Sequence, residues 1–209
     1  WIKEAMGLSL RNVMLTLYER GNSVFSMQGE MLFTHFGISG PIVLTGSSSL
    51  FDSDFKDVNA VIDLKPALDE DKLDKRILRD FSENSRKDFA NALDDLLPKK
   101  LIPIIIRLSG IDKSKKVNQI SSEERKTLVS LFKGLELRIT GSRPLAEAIV
   151  TAGGVSVKDI NPSTMESRVV KNLYFCGEMI DVDANTGGYN LTIAFSTGHL
   201  AGKNAAGGN

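Results

Sequence analysis

NLYFCGEMIDVDANTGGYNLTIAFSTGHLAG, residues 172–202, is the stretch on which the fold turns. A short apolar run, Leu173-Tyr174-Phe175-Cys176, stops at Gly177-Glu178. A polar loop follows, and Gly187-Gly188 then opens a run of small residues with helical character. This order predicts a strand that ends at a ligand, with a carboxylate at its tip and a helix start aimed at the same place. The unpaired amides and the positive dipole end of a helix start favour partial negative charge there.

Two features of the stretch carry chemistry. Glu178, placed after a glycine that permits close approach, can accept hydrogen bonds from ligand hydroxyls such as those of a ribityl chain. Gly187-Gly188-Tyr189-Asn190-Leu191 offers bare backbone on which a flat ring can lie. The helix beyond is rich in Thr192, Ala194, Ser196, Thr197, Gly198, Ala201 and Gly202, so it must approach a neighbour closely. A flavin ring, whose pyrimidine edge gains negative charge on reduction, suits such a place. Asp181, Asp183 and Asn185 begin like a calcium loop, but Thr186 stands where glycine is needed and Thr192 where a bidentate glutamate is needed.

Upstream, residues 8–18 are rich in alternating apolar positions, Arg20-Gly21-Asn22-Ser23 signals a turn, and residues 24–36 read extended again. That is a hairpin. Gly37-Ile38-Ser39-Gly40-Pro41 then predicts a helix start, with Ser39 or Gly40 as cap and Pro41 at the first helical position. VNAVIDL (58–64) and LELRIT (135–140) read as further strands, and residues 148–157 continue the strand-like pattern through Gly153-Gly154. Between them, residues 67–133 predict a helical insertion. Leu73, Ile77, Leu78 and Phe81 recur at helical spacing, as do Leu93, Leu96 and Leu97, and Ser121-Ser122-Glu123-Glu124 is a capping box. Lys99-Lys100 and the 113–116 lysines lack interleaved aromatics, so they read as solvated faces and no nucleic-acid partner is expected.

The bulk numbers are those of an ordinary globular protein. The chain has 209 residues, 42% hydrophobic and 25% charged, with Lys+Arg and Asp+Glu both at 26. Zero net charge gives no reason to seek anionic polymers or membranes. A single cysteine, Cys176, excludes an internal disulfide framework and fits a reducing, cytoplasmic setting. His35 and His199 are far apart and form no metal-spaced cluster, so no metal is expected. No G-x-S-x-G elbow nominates a nucleophile, and no catalytic side chain is assigned. A cofactor is therefore expected to carry the chemistry. The chain begins at Trp1 without Met and holds no G-x-G-x-x-G, which predicts a piece of a longer polypeptide whose pyrophosphate-binding half lies upstream.

GEMLFTHFGISGP (29–41), VTAGGVSVKDINPSTMES (150–167) and the opening stretch closely resemble the bacterial flavoproteins labelled NAD(FAD)-utilising dehydrogenases, among them the aminoacetone oxidases and BaiN/YhiN-like proteins. The resemblance implies an α+β chain in three parts: a β-barrel-like domain (1–66 and 134–152), the inserted helical subdomain (67–133), and the C-terminal strand-helix return of a Rossmann-type FAD-binding domain (153–209). It implies an FAD-dependent oxidoreductase with a small-molecule substrate and NAD(P)H as candidate electron donor, completed by the missing N-terminal half. By resemblance Glu178 holds the ribityl chain with Gly177 beside it in the cofactor site, Gly187, Gly188, Tyr189, Asn190 and Leu191 lie along the ring, and Gly153 and Gly154 approach the flavin or substrate face. More distantly similar fumarate-reductase-type flavoproteins grip dicarboxylates with arginines near this end. Here the last arginine is Arg168 and the glycine turn carries Thr186, so a dicarboxylate is not expected. The competing expectation is a non-catalytic protein-binding module whose helical block meets a partner.

Overall fold

The computed structural model describes residues 1–185 and 187–207. The chain divides into two compact units, Trp1–Thr140 and Gly141–Asn209.

In the first unit the hairpin forms where the alternation predicts it. β1 (Ser9–Glu19) buries Leu10, Val13, Leu15 and Leu17, and β2 (Asn22–Phe33) ends on buried Met31 and Phe33. Arg20 and Gly21 both take positive φ, +50° and +77°, the two-residue connection whose twist matches paired strands. One extra residue on β1 between Leu10 and Val13, and one on β2 opposite the Leu17–Tyr18 step, kink the ribbon. β3 (Ile38–Ser39) pairs back onto β2, and α1 (Pro41–Ser47) starts after Gly40 with Pro41 at its first position.

β4 (Val58–Asp63) and β5 (Leu135–Ile139) complete an antiparallel five-stranded sheet of order β3-β2-β1-β4-β5. β4 and β5 are lateral neighbours, so the helices between them in sequence leave and re-enter the sheet at adjacent positions. Those helices are α2 (Glu70–Glu83), α3 (Phe89–Ala92), α4 (Ile102–Ser109) and α5 (Ser122–Lys133). α2 is capped by Asp69, whose carboxylate accepts from the Lys72 amide at 2.8 Å. α5 carries the capping box: Ser121 accepts from the Glu124 amide, and Glu124 accepts from the Ser121 amide at 2.7 Å.

Sheet and helices share one continuous core, with Leu15, Met31, Phe33 and Ile62 from strands meeting Leu73, Ile77, Phe89, Ile104, Ile105 and Phe132 from helices. Lys133 locks α5 to the sheet through Asp63 at 2.5 Å and the Leu68 carbonyl at 2.7 Å. Asp80 is the buried acid of this core at 6% exposure, held by Arg76 Nε at 2.7 and 2.9 Å. Burial, reinforced by the Arg76 charge, pushes the Lys65 ammonium below the usual lysine range.

The second unit is sparer. The strands expected at 148–157 and 173–176 are not ladders. A short helical turn occupies Leu145–Glu147, and only single bridges join Val155 to Ile180 and Glu166 to Tyr174 among the described residues. Extended preference becomes a strand only beside a lateral partner, and these segments have one residue pair each. The expected helix does form, as α6 (Tyr189–Gly207).

Candidate functional site

The predicted site residues all belong to the second unit, which packs Gly154 against residues 179–181 and Gly177 against the middle of α6. Its small core comprises Ile160, Met165, Ile180 and Ala201, with Val155, Tyr174, Phe175, Cys176 and Leu200 packed against it. Val155 runs parallel to Ile180: its amide donates to the Met179 carbonyl at 2.8 Å, and the Asp181 amide donates to the Val155 carbonyl at 2.9 Å. Gly154 makes this approach possible. A Cβ there would stand 2.7 Å from the Met179 oxygen and 2.8 Å from the Asp181 nitrogen, and the backbone is at φ +149°. Gly153-Gly154 and Gly177-Glu178 are thereby brought alongside each other.

α6 joins from the other side. The Gly177 amide donates to Thr197 Oγ1 at 2.9 Å, while that hydroxyl donates to the Ile193 carbonyl at 2.7 Å. A Cβ on Gly177 would lie 3.7 Å from that of Ala194, so the small residues of α6 serve close contact with the Gly177–Met179 turn. At the helix start, Asn190 binds Ala184 at both backbone atoms and pins the preceding loop. The Thr192 amide and hydroxyl both donate to the Gly188 carbonyl, at 3.1 and 3.2 Å. Thr186 lies outside the described residues.

What this arrangement leaves open is as informative as what it closes. Added Cβ atoms at Gly153 and Gly188 would meet nothing within 4 Å, so bare backbone faces outward at both. Glu178 is exposed and makes no hydrogen bond or ion pair within the described residues. Tyr189, Leu191 and Phe195 are exposed as well, Leu191 at 64% and Phe195 at 76%. The Glu178 carboxylate, the backbone at Gly153 and Gly188 and the side chains of Tyr189 and Leu191 are thus open to solvent in this unit. Sequence reading missed the roles of Thr197 and Ala184, because a hydroxyl and a backbone group twenty and six residues from their partners leave no pattern in the chain. No group of three or more metal-ligating side chains occurs among the described residues. Cys176 is half-buried and free. No described helix is long and apolar enough to cross a membrane.

The first unit's cavities involve none of these residues. One cleft is lined by Arg76, Arg79, Asp80, Glu83, Asn84 and Asp95, and a slot of about 140 Å³ runs beside the β1 kink, with Arg11, Lys65 and Leu97 in its walls.

An antiparallel sheet carrying a helical block between two adjacent strands, followed by a glycine-turned unit, defines a mixed α+β protein of barrel-and-helix type. Residues 1–150 match the family described as HI0933-like protein barrel and H2TH domain, and the chain belongs to this family, the flavoprotein group its motifs resemble. It is similar to the 3-dehydro-bile acid delta(4,6)-reductase of Clostridium scindens, 32% identical over 180 residues, covering 85% of this chain and 44% of that protein. It is also similar to ribosomal RNA dihydrouridine synthases. That of Haemophilus influenzae is 35% identical, covering 83% of this chain and 41% of the relative. That of Escherichia coli is 34% identical, covering 80% and 40%. The chain spans less than half the length of these relatives.

Proposed function

We propose that this chain is part of an FAD-dependent oxidoreductase that reduces a carbon–carbon double bond conjugated to a carbonyl. One observation carries the reading: Gly154 lies against residues 179–181, Gly177 lies against Ala194 and Thr197 of α6, and bare backbone stays open at Gly153 and Gly188. When bound, the flavin supplies a hydride. Glu178 would accept hydrogen bonds from the ribityl hydroxyls, and the open backbone at Gly153 and Gly188 would leave room for a ring. Asn190 ties the helix start to the Ala184 backbone, and the amides and dipole of that start would favour the negative charge that a flavin gains on reduction.

The names of the relatives support the substrate chemistry. A 3-dehydro, delta(4,6) substrate is a dienone, and the uracil ring of uridine holds a double bond conjugated to its carbonyl; both proteins are named for saturating such bonds. The reducible bond is what these names share, whatever the size of the molecule bearing it. NAD(P)H is the donor we favour. The exposed Leu191 and Phe195 side chains of α6 would be covered by the N-terminal half of the same polypeptide, which would also bring the pyrophosphate loop.

The test compares the visible spectrum of this chain with that of the longer polypeptide that includes its upstream half. The longer protein should carry stoichiometric yellow flavin that bleaches with NAD(P)H and recovers with a conjugated cyclic ketone. A longer protein that purifies colourless and fails to take up FAD overturns the proposal.

A further inference from the structure

The β1–β4 ladder ends at the Met14–Asp63 pair, and Leu64-Lys65 run on past it beside the β1 kink, where Arg11 and Asn12 stand opposite Glu30. A bulge of this kind re-aims a side chain and leaves the ladder open. The slot of about 140 Å³ lies at this point, with Leu64, Leu97, Pro98 and Leu101 among its apolar walls and Arg11 and Lys65 as its charged ones. Asn12 lines it too, but its side-chain oxygen is taken by Gln28 Nε2 at 2.7 Å.

Two lysines sit close to this spot, and only one has acceptors. Lys133 gives its ammonium to Asp63 and to the carbonyls of Lys65 and Leu68. Lys65 is half-buried, and its ammonium makes no hydrogen bond or ion pair among the described residues. Burial and the Arg76 charge both disfavour that ammonium, and Asp80, the acid that acts on it, is already held by Arg76 at 2.7 Å. Arg11 is exposed and equally unbonded, and Glu30 across the kink makes no ion pair with it. A cation half withdrawn from water without a counter-ion is costly, so an anion entering the slot gains from both charges.

The walls choose among anions. Inorganic phosphate would give up strong hydration against leucines that return nothing. A carboxylate accepts the paired N–H donors of a guanidinium, and the apolar walls suit a compact hydrocarbon body behind it. The volume sets the size of that body, since an apolar cavity of about 150 Å³ holds one benzene.

We propose that the slot between the β1 kink and residues 96–101 binds a monocarboxylate whose apolar body is one six-membered ring, with the carboxylate on Arg11 and Lys65 and the ring on Leu64, Leu97 and Leu101. The site belongs to the first unit, and its occupation needs no flavin.

The experiment titrates the 209-residue chain with benzoate, following leucine methyl resonances by NMR. Benzoate should shift the methyls of Leu64, Leu97 and Leu101 saturably, with a Kd on the order of 1 mM for so small a ligand. Benzamide, which lacks the charge, and acetate, which lacks the ring, should each bind about tenfold more weakly. Arg11→Gln and Lys65→Met should each weaken benzoate about tenfold and leave benzamide unchanged. Arg11 is exposed and Lys65→Met removes an unpaired charge, so neither change should lower the melting temperature of the ligand-free chain. Equal binding of benzoate and benzamide, phosphate shifting the same methyls as strongly, or indifference to either substitution overturns the proposal. Methyls that stay silent far above the expected Kd overturn it as well.

Discussion

Asn190 holds Ala184 at both ends of its peptide: Nδ2 donates to the Ala184 carbonyl at 2.7 Å, and the Ala184 amide donates to Oδ1 at 2.8 Å. One side-chain amide thus does the work of a strand neighbour and ties the acidic loop to the first turn of α6. Asn190→Ala should cost about 1–2 kcal/mol, two hydrogen bonds in a half-buried place. The Ala184 amide should lose its hydrogen-exchange protection, while amides of the first unit stay unchanged. Asn190→Asp should be no better, because an oxygen would then face the Ala184 carbonyl.

Gly154 tolerates no side chain. Gly154→Ala sets a methyl against the backbone of residues 179–181 and forces an unfavourable φ. The expected loss is about 2–3 kcal/mol, combining overpacking and strain. Urea unfolding of the second unit, followed through Tyr174, should register it.

Thr197 separates hydrogen bonding from packing. Thr197→Val keeps the shape but removes the acceptor for the Gly177 amide, and should cost about 1–3 kcal/mol. Thr197→Ser should restore most of that in a thermal melt.

Glu178 is predicted to matter to a ligand and not to the fold. Glu178→Gln should leave the melting temperature unaltered, since the carboxylate has no partner among the described residues. In the longer flavin-loaded protein it should raise the FAD dissociation constant about tenfold, the loss of one charge-assisted hydrogen bond. An unchanged constant would remove Glu178 from the site.

Acid should loosen the helical block through Glu124. The Lys115 ammonium at 2.6 Å and the Ser121 amide hold its carboxyl below the ordinary 4.5. A depressed folded value means that this stabilisation is complete above 4.5 and disappears as pH falls through the folded value. Glu124→Gln should lessen the fall of the melting temperature with pH below that point, Asp69, Asp112 and Glu123 keeping the rest, and should cost about 1 kcal/mol near neutrality.

Much of the first unit could be read from local pattern. Leu15 and Leu17 alternate with Thr16 and Tyr18, Arg20-Gly21 marks the turn, and Ser121 with Glu124 announces α5, because periodicity and capping act over a few residues. The same logic misjudged 173–176, where an apolar run has the preference of a strand but only one bridging neighbour. For the candidate site, sequence and resemblance named the glycine turns, Glu178 and the helix start.

By itself, then, the sequence determined the strands of the first unit, the capped helices, where glycine must bend the chain, and which family the motifs resemble. Only the tertiary structure decided that Val155 lies along Ile180, that Thr197 anchors Gly177, and that the helical block shares a core with the sheet. Those choices join residues far apart in the chain, and each depends on shape and hydrogen-bond satisfaction at the contact, which no local repeat encodes.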